Sequence, residues 1–460
     1  MEAVAVFDVG KTNVKLAAVS GAGVLLDSVS RSNPVLPAPP YSHHDLGLLE
    51  TWLLENLRSL GARYAIEAIL ATGHGSGGVL VGQDGPLMPM IDYEQEPPAE
   101  IANEYPLLAG SFRERGSPCQ LASAHLAKQM LWLERAFPSE FAAAKAYLAH
   151  PQYWAWRLGG TMASEVTSLA AQSHLWRPLD RRLSKLVDDR GWGRLIPPLA
   201  PAWATLGTLK PEIARQTGLS ENTRILTGIH DSSANFYRYR RAGFRDFTVV
   251  STGTWIALIS DRAGLHPDIE HPGLCYNADV FGAPLHGMLV MGGREFSAIA
   301  DGFTGPASRE SLDALISTRT MALPSFGPDD GPFPGSSRKG KIVGVLSQSA
   351  EVRFTLAVLY AALLTHSCLD ALATSAVVLD GSFVRDPLYG AIVAALRPER
   401  SVYVNRETFG AATGAALLAS PAAGTAPRQL DLERPLPIDH RGLIAYGRQW
   451  REQATPGRAS

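Results

Sequence analysis

Residues 4–19 read VAVFDVGKTNVKLAAV, two apolar runs joined by the turn Gly10-Lys11-Thr12-Asn13. Apolar, β-prone residues on both sides of a short polar turn that contains glycine predict a hairpin. Asp8 stands near the end of the first run, and Lys11 and Lys15 follow it. A carboxylate in that place suits a hydrated Mg²⁺, which takes one or two carboxylates and otherwise water and phosphate oxygens. Glycine lets the turn approach an anion closely, with backbone N–H groups aimed at it. Taken alone, the same turn serves an ordinary polar hairpin.

The pattern returns about half a chain later. Residues 247–260 read FTVVSTGTWIALIS, again run, turn, run, with Ser251-Thr252-Gly253-Thr254 at the turn. Three hydroxyls and a glycine can bind phosphate oxygens without adding charge. The repeat predicts an internal duplication of two similar halves, although two unrelated hairpins would read the same way.

Composition narrows the class. The chain has 460 residues, 46% hydrophobic and 19% charged, with 42 basic and 44 acidic side chains and a net charge of −2. It is too apolar and too weakly charged to be disordered. The near-neutral balance gives no footprint for nucleic acid or an anionic membrane. The length asks for two domains or more. Cys119, Cys275 and Cys368 are far apart and form no C-x-x-C pair, against a disulfide framework or a structural zinc site. The N-terminus enters a strand without the basic and apolar regions of a signal peptide. No run of about 18 apolar residues is seen, so the expectation is a cytoplasmic protein without a membrane span.

Other segments fall around the hairpins. Apolar spacing predicts a helix near Leu48–Leu60, then a strand from Ala65 to Ala71 that runs into Thr72-Gly73-His74-Gly75-Ser76-Gly77-Gly78. Residues 121–158 read as mostly helical, and Trp132, Trp154 and Trp156 as core rather than a sugar platform. Residues 322–340 read as a Pro/Gly/Ser-rich loop or linker, Glu351–Ala373 as a long helix, and the chain from about 420 onward as a Pro-rich tail without chemical signal.

Three further places could carry chemistry. Asp231 in Gly228-Ile229-His230-Asp231-Ser232-Ser233-Ala234 opens a predicted helix after an apolar run. There a carboxylate is held ionised by the helix dipole, and both an N-cap and a general base are open. Asp380-Gly381-Ser382 ends the predicted strand Ala376–Asp380, a usual place for a nucleotide against exposed backbone. Neither G-x-G-x-x-G nor G-x-x-x-x-G-K-[ST] occurs, so the dinucleotide fold and the P-loop are unsupported. His74, between glycines, can meet a sugar hydroxyl or serve the structure.

In order, these pieces resemble the FGGY family of carbohydrate kinases, within the sugar kinase–actin–heat-shock chaperone ATPase superfamily. The resemblance runs from about Val4 to Ala419. Phe7–Asn13 is similar to the family's first phosphate hairpin and Ser251–Thr254 to its second. Leu206–Leu209 with Pro197-Pro198 resembles the close of the first domain, and Gly228–Ala234 the segment of the catalytic base. Leu379–Ser382 resembles the adenosine turn, and Glu407–Ala412 the helix start after it. The implied fold is α/β, two ribonuclease H-like (actin-like ATPase) domains with a central cleft. Its division is 1–236 for the N-terminal domain, 237–425 for the C-terminal domain and 426–460 for the tail.

The resemblance also implies ATP and Mg²⁺ as cofactors and a small sugar as the partner, with no nucleic acid and no membrane; a homodimer is left open. Asp8 would anchor the metal. Gly10, Lys11, Thr12, Asn13, Thr252, Gly253, Thr254, Gly381 and Ser382 would hold the nucleotide. His74, Gly75, Tyr93 and Asp231 would meet the sugar, with Asp231 as base. Its task is position more than basicity, because the phosphoryl transition state is loose. Three departures stand out. Lys11 occupies a place usually held by a small hydroxyl residue, the adenosine turn has the single glycine Gly381, and Ile91-Asp92-Tyr93-Glu94-Gln95-Glu96 lacks the usual arginine. The His74 segment looks less like that of xylulose kinases, and Tyr93 with the short overall length leans towards a deoxyketose such as L-rhamnulose or L-fuculose. Xylulose, ribulose and glycerol are the alternatives, as is a sensor on the same fold without turnover.

Overall fold

A computed structural model of the chain describes residues 1–119, 122–262, 269–345, 349–420 and 429–455. It divides into two compact units. The first is Met1–Phe244 with Tyr276–Pro284 and Phe409–Gln429; the second is Arg245–Cys275, Leu285–Thr408 and Leu430–Ser460.

The first unit is built on β1 (Glu2–Val9), β2 (Asn13–Val19), β3 (Leu25–Ser32), β4 (Ala65–Gly73), β5 (Thr205–Thr208), β6 (Arg224–Leu226) and β7 (Ile229–His230). Their order across the sheet is β5-β6-β4-β1-β2-β3, with β7 also pairing with β4. The predicted hairpin is β1–β2, antiparallel, with Val4 opposite Val19 and Val9 opposite Val14. β4 lies parallel to β1, with Phe7 opposite Ala71. Successive side chains of a strand point to opposite faces. Ala5, Phe7 and Val9 therefore enter one core with the helix Leu46–Gly61 and Trp154, while Val4 and Val6 enter another with Leu226 and Ala234. Burial on both faces is why VAVF reads as a continuous apolar run. On the second face the helix Gly410–Ala416 packs against the helix Asp231–Arg241 so tightly that a Cβ at Gly414 would lie 2.1 Å from the Ala234 carbonyl oxygen.

Residues 121–158 are mostly helical, as expected, with one exception. Within them Ala146–Ala149 is a strand paired with Gly78–Val81, set between the helices Pro138–Ala143 and His150–Gly159. Four residues are too few to show a period of their own. The tryptophans Trp132, Trp154 and Trp156 are buried.

The second sheet, which belongs to the second unit except for residues 276–278 and 284, is built on β8 (Phe247–Thr252), β9 (Ile256–Ser260), β10 (Leu274–Ala278), β11 (Pro284–Val290), β12 (Ala376–Gly381) and β13 (Ser401–Val404), ordered β10-β11-β9-β8-β12-β13. β8 and β9 form the second hairpin, with Thr252 opposite Ile256. β12 lies parallel to β8. A hairpin whose first strand takes a parallel neighbour thus occurs twice, as β2-β1-β4 and as β9-β8-β12. The duplication read from two turns is present in the topology.

Three expectations change here. The helix Ala350–Leu369 is long and apolar enough, by length and a mean hydropathy of 1.5, to cross a membrane, and 72% of its apolar window is buried in the protein. Reading for consecutive apolar residues misses it because Thr355, Tyr360 and Thr365 interrupt the run. Their hydroxyls have internal partners: Ser308 N donates to Thr355 Oγ1 at 3.1 Å, Tyr360 Oη donates to Glu295 at 2.9 Å, and Thr365 pairs with Tyr389 at 2.8 Å. Residues 322–340 are no linker. Met321–Leu323 pairs with Lys341–Val343, and the Glu295 carboxylate accepts from Phe326 N at 2.8 Å and Gly327 N at 2.7 Å. The tail carries the helix Leu443–Ala454, whose buried Trp450 donates to Ala322 O at 2.6 Å. The expected boundary at 425 lies outside the described residues.

Candidate active site

The β1–β2 turn closes with Gly10 N donating to Asn13 O at 3.0 Å. Asn33 ties its carbonyls back, through Nδ2 to Gly10 O at 2.9 Å and through N to Thr12 O at 2.8 Å. Thr12 and Asn13 stand exposed at the tip. Asp8, opposite Lys15 in the register, is buried, with Lys15 Nζ 3.8 Å from Oδ2. Burial pushes its carboxyl up to about 6; the Lys15 charge opposes this and the Asp231 charge adds to it. Lys11 turns to the segment read as the sugar side. Its ammonium pairs with Asp92, lies 3.8 Å from Glu94 Oε2 and sits 4.9 Å from the centre of the Tyr93 ring. This pairing joins residues far apart in the chain, so no local pattern announces it.

Asp231 follows β7 and opens the helix Asp231–Arg241. His230 is the cap, so Asp231 is the first helical residue rather than the N-cap. Its Oδ1 accepts from Ser232 N and from Ser232 Oγ at 3.1 Å, and lies 3.2 Å from His230 Nε2. A chain of bonds fixes this corner. His230 N donates to Thr167 Oγ1 at 3.1 Å, and Thr167 Oγ1 donates to Glu165 at 2.6 Å. Glu165 caps the helix Val166–Ala170 by accepting from Thr167 N and Ser168 N, both at 3.0 Å. Burial pushes Glu165 up to about 6, against these hydrogen bonds. Sequence reasoning missed Glu165, because Glu is not among the residues that usually mark an N-cap.

His74 follows β4, its ring 5.3 Å from Tyr93 and 5.5 Å from His150. Burial lowers its pKa to about 4, against the Asp231 charge, so the ring is neutral at pH 7. Gly75 is pressed on Ala171, where a Cβ would come within 2.5 Å of that residue's own. Its place is one of packing.

The second unit holds a pocket of about 790 Å³ whose lining includes Gly253, Thr254, Phe296, Phe354, Ser382 and Phe383. The Phe296 and Phe383 rings stack with centres 4.9 Å apart, and Phe354 meets Phe296 edge-on at 5.4 Å. Gly381 has φ +96°, and a Cβ there would lie 2.0 Å from Thr252 O. No other residue fits that turn without displacing β8. Thr252 Oγ1 donates to Asp380 O at 2.7 Å and accepts from Phe383 N at 3.0 Å, while Ser382 N donates to Thr252 O at 2.7 Å. Thr252, Gly381 and Ser382 thus lock β8 to β12, and Gly253 and Thr254 face the pocket.

Aromatic walls beside glycine backbone fit a flat nucleobase. A buried carboxylate with a raised pKa fits a cation that restores its charge. Among the described residues no group of three His, Cys, Asp or Glu is arranged to hold a metal.

Two family models match the sequence: the N-terminal domain of the FGGY family of carbohydrate kinases over residues 3–236, and the carbohydrate kinase FGGY C-terminal domain over residues 244–428. The chain belongs to the FGGY family of carbohydrate kinases. FGGY kinases use ATP with Mg²⁺. The L-fuculokinase of Escherichia coli (strain K12) is 25% identical over 306 residues, which cover 60% of this chain and 62% of that protein. The chain thus matches less than two thirds of that relative's length. A solved carbohydrate kinase from Novosphingobium aromaticivorans is 29% identical, covers 98% of both chains and has a TM-score of 0.86. The xylulose kinase of Lactobacillus acidophilus shares the fold, with a TM-score of 0.82 at 17% identity over 98% of this chain and 97% of its own. The two-domain actin-like ATPase fold expected from the resemblance is the fold of this FGGY chain. Within it the first unit gathers Asp8, Lys11, His74, Tyr93 and Asp231, and the second gathers Gly253, Thr254 and the Gly381 turn.

Proposed function

We propose that the protein transfers the γ-phosphoryl group of ATP to a hydroxyl of a ketose, with Asp231 as general base. The observation that carries this reading is the setting of Asp231. Its carboxylate is oriented by Ser232 and His230, sits on a braced corner, and keeps 28% of its side chain open to a substrate while His230 and Ser233 are buried. Asp231 takes the proton of the attacking hydroxyl, a bond forms from that oxygen to the γ-phosphorus, and the bond from phosphorus to the β–γ bridging oxygen breaks to release ADP. Mg²⁺ bound with ATP supplies charge neutralisation on the phosphates, and Asp8 is the residue that would anchor it. Gly10, Thr12 and Asn13 with Gly253 and Thr254 serve the phosphates, and the aromatic pocket serves the adenine.

For substrate, the reading favours a deoxyketose such as L-fuculose or L-rhamnulose. Tyr93 beside His74 and the likeness to an L-fuculokinase support it. Xylulose, ribulose and glycerol follow. The division at 236/237 has support from the family matches at 3–236 and 244–428, whereas the compact units divide at Phe244/Arg245, after the helix Asp231–Arg241. A cytoplasmic setting is kept. The test is a panel of ketoses and polyols with coupled ADP detection. One neutral sugar should raise ADP release well above the sugar-free rate. If none does, a nucleotide- or sugar-binding sensor replaces the kinase.

A further inference from the structure

Three histidines of the first unit have both ring nitrogens buried without a hydrogen-bond partner: His44, His74 and His150. Each such atom costs about 1–3 kcal/mol if nothing meets it. Folded proteins leave few of them, and a cluster at one place asks for an explanation.

These rings are neighbours from three separate elements. His44 lies on the strand His43–His44, His74 follows β4, and His150 opens the helix His150–Gly159. The His74 and His150 rings are 5.5 Å apart. Gly77 lies between them: a Cβ there would be 3.1 Å from His74 Cε1 and 3.2 Å from His150 Nδ1. His44 Nε2 is 4.0 Å from Asp92, the partner of Lys11. His44 is lowered to about 3 by burial, then by the charges of His74 and Lys11; burial also holds His150 well below its ordinary value. All three rings are neutral at pH 7.

A neutral imidazole offers one N–H donor and one acceptor. A hydroxyl offers the same pair, so adjacent hydroxyls of a polyhydroxy compound satisfy such an array. A carboxylate accepts only and leaves the ring acceptors unmet. A metal would draw the nitrogens to one point, and no such group exists among the described residues.

We propose that His44 and His150 act beside His74 as specificity-determining residues that read hydroxyl groups of an uncharged polyhydroxy substrate. This rests on the kinase reading only for what happens after binding.

The experiment is thermal shift with MgATP and with a panel of free ketoses, polyols and aldonates, on wild type, His44→Leu and His150→Leu, with His44→Gln and His150→Gln as second variants. At least one neutral compound should stabilise the wild type. The Leu variants should lose most of that shift and keep the MgATP shift; the Gln variants should recover part of it. Where the compound is turned over, its KM should rise about 10-fold or more in each Leu variant, with the KM for ATP unchanged. Leu variants should unfold at no lower temperature than wild type, because an unmet polar group has been removed. Full retention of the sugar shift in folded variants, a shift by aldonates alone, or no shift by any panel compound overturns the proposal. A sugar that binds the wild type through these histidines without turnover supports it and sinks the kinase reading instead.

Discussion

The hairpins β1–β2 and β8–β9 share one topology and divide the chemistry between them. β1–β2 carries Asp8, Lys11 and Lys15, with the acid buried and raised to about 6. β8–β9 carries Ser251, Thr252 and Thr254 and no charge, and its Thr252 hydroxyl is fully used within the fold. The first unit also holds the unmet histidine nitrogens, while the second offers stacked phenylalanines. On the proposed mechanism, the raised acid of the first copy stands where a proton moves, and the second copy's uncharged turn stands where a ligand is held.

The largest test of that division is Asp231→Asn. Turnover should fall roughly 10²-fold or more with the MgATP thermal shift intact; near-normal turnover ends its assignment as base. Next comes a pair on the second unit. Gly381→Ala forces a Cβ into Thr252 O, and the KM for ATP should rise about 10-fold or the fold should weaken by about 1–3 kcal/mol. Gly253→Ala, where a Cβ meets nothing within 4 Å, should leave thermal stability within about 0.5 kcal/mol of wild type. Equal damage from both breaks the view of Gly381 as the locked turn. Third, Lys11→Met should raise the KM for sugar about 3- to 10-fold through loss of its buried pairing while the KM for ATP holds. The opposite split would make Lys11 a phosphate ligand.

The last test is in stability alone. The Asp8 carboxyl has a folded pKa of about 6 against 3.8 ordinarily. The fold therefore favours its proton, a contribution complete below pH 3.8 and lost as pH rises through 6. By pH 7 the loss approaches about 3 kcal/mol. Asp8→Asn should raise Tm at pH 7 by several degrees, at about 2–4 °C per kcal/mol, and give no gain near pH 3.5. A drop in Tm at pH 7 would mean that Lys15 more than offsets the burial.

What the sequence showed was local. Each hairpin is a run, a turn and a run, and Asp231 follows an apolar strand into a helix, so both were legible. Lys11 was visible but not its partner, because Asp92 is distant in the chain and either a phosphate or a carboxylate satisfies an ammonium. His44 and His150 have no surrounding motif; only folding gathers them. Phe296, Phe354 and Phe383 follow no period because each comes from a different element. The helix Leu443–Ala454 was hidden behind the prolines that precede it, although Tyr446 and Trp450 are spaced for one buried face.

The segment Phe409–Gln429 returns to the first unit after the second has been traced, and its helix Gly410–Ala416 covers the helix that starts at Asp231. During synthesis on the ribosome the order of completion is therefore inverted. The first unit, begun first, waits for residues that follow most of the second unit before the helix behind Asp231 gains its cover. Until then that apolar face is open to chaperones and to other nascent chains. A premature stop anywhere before Phe409 should thus yield aggregation rather than a folded half.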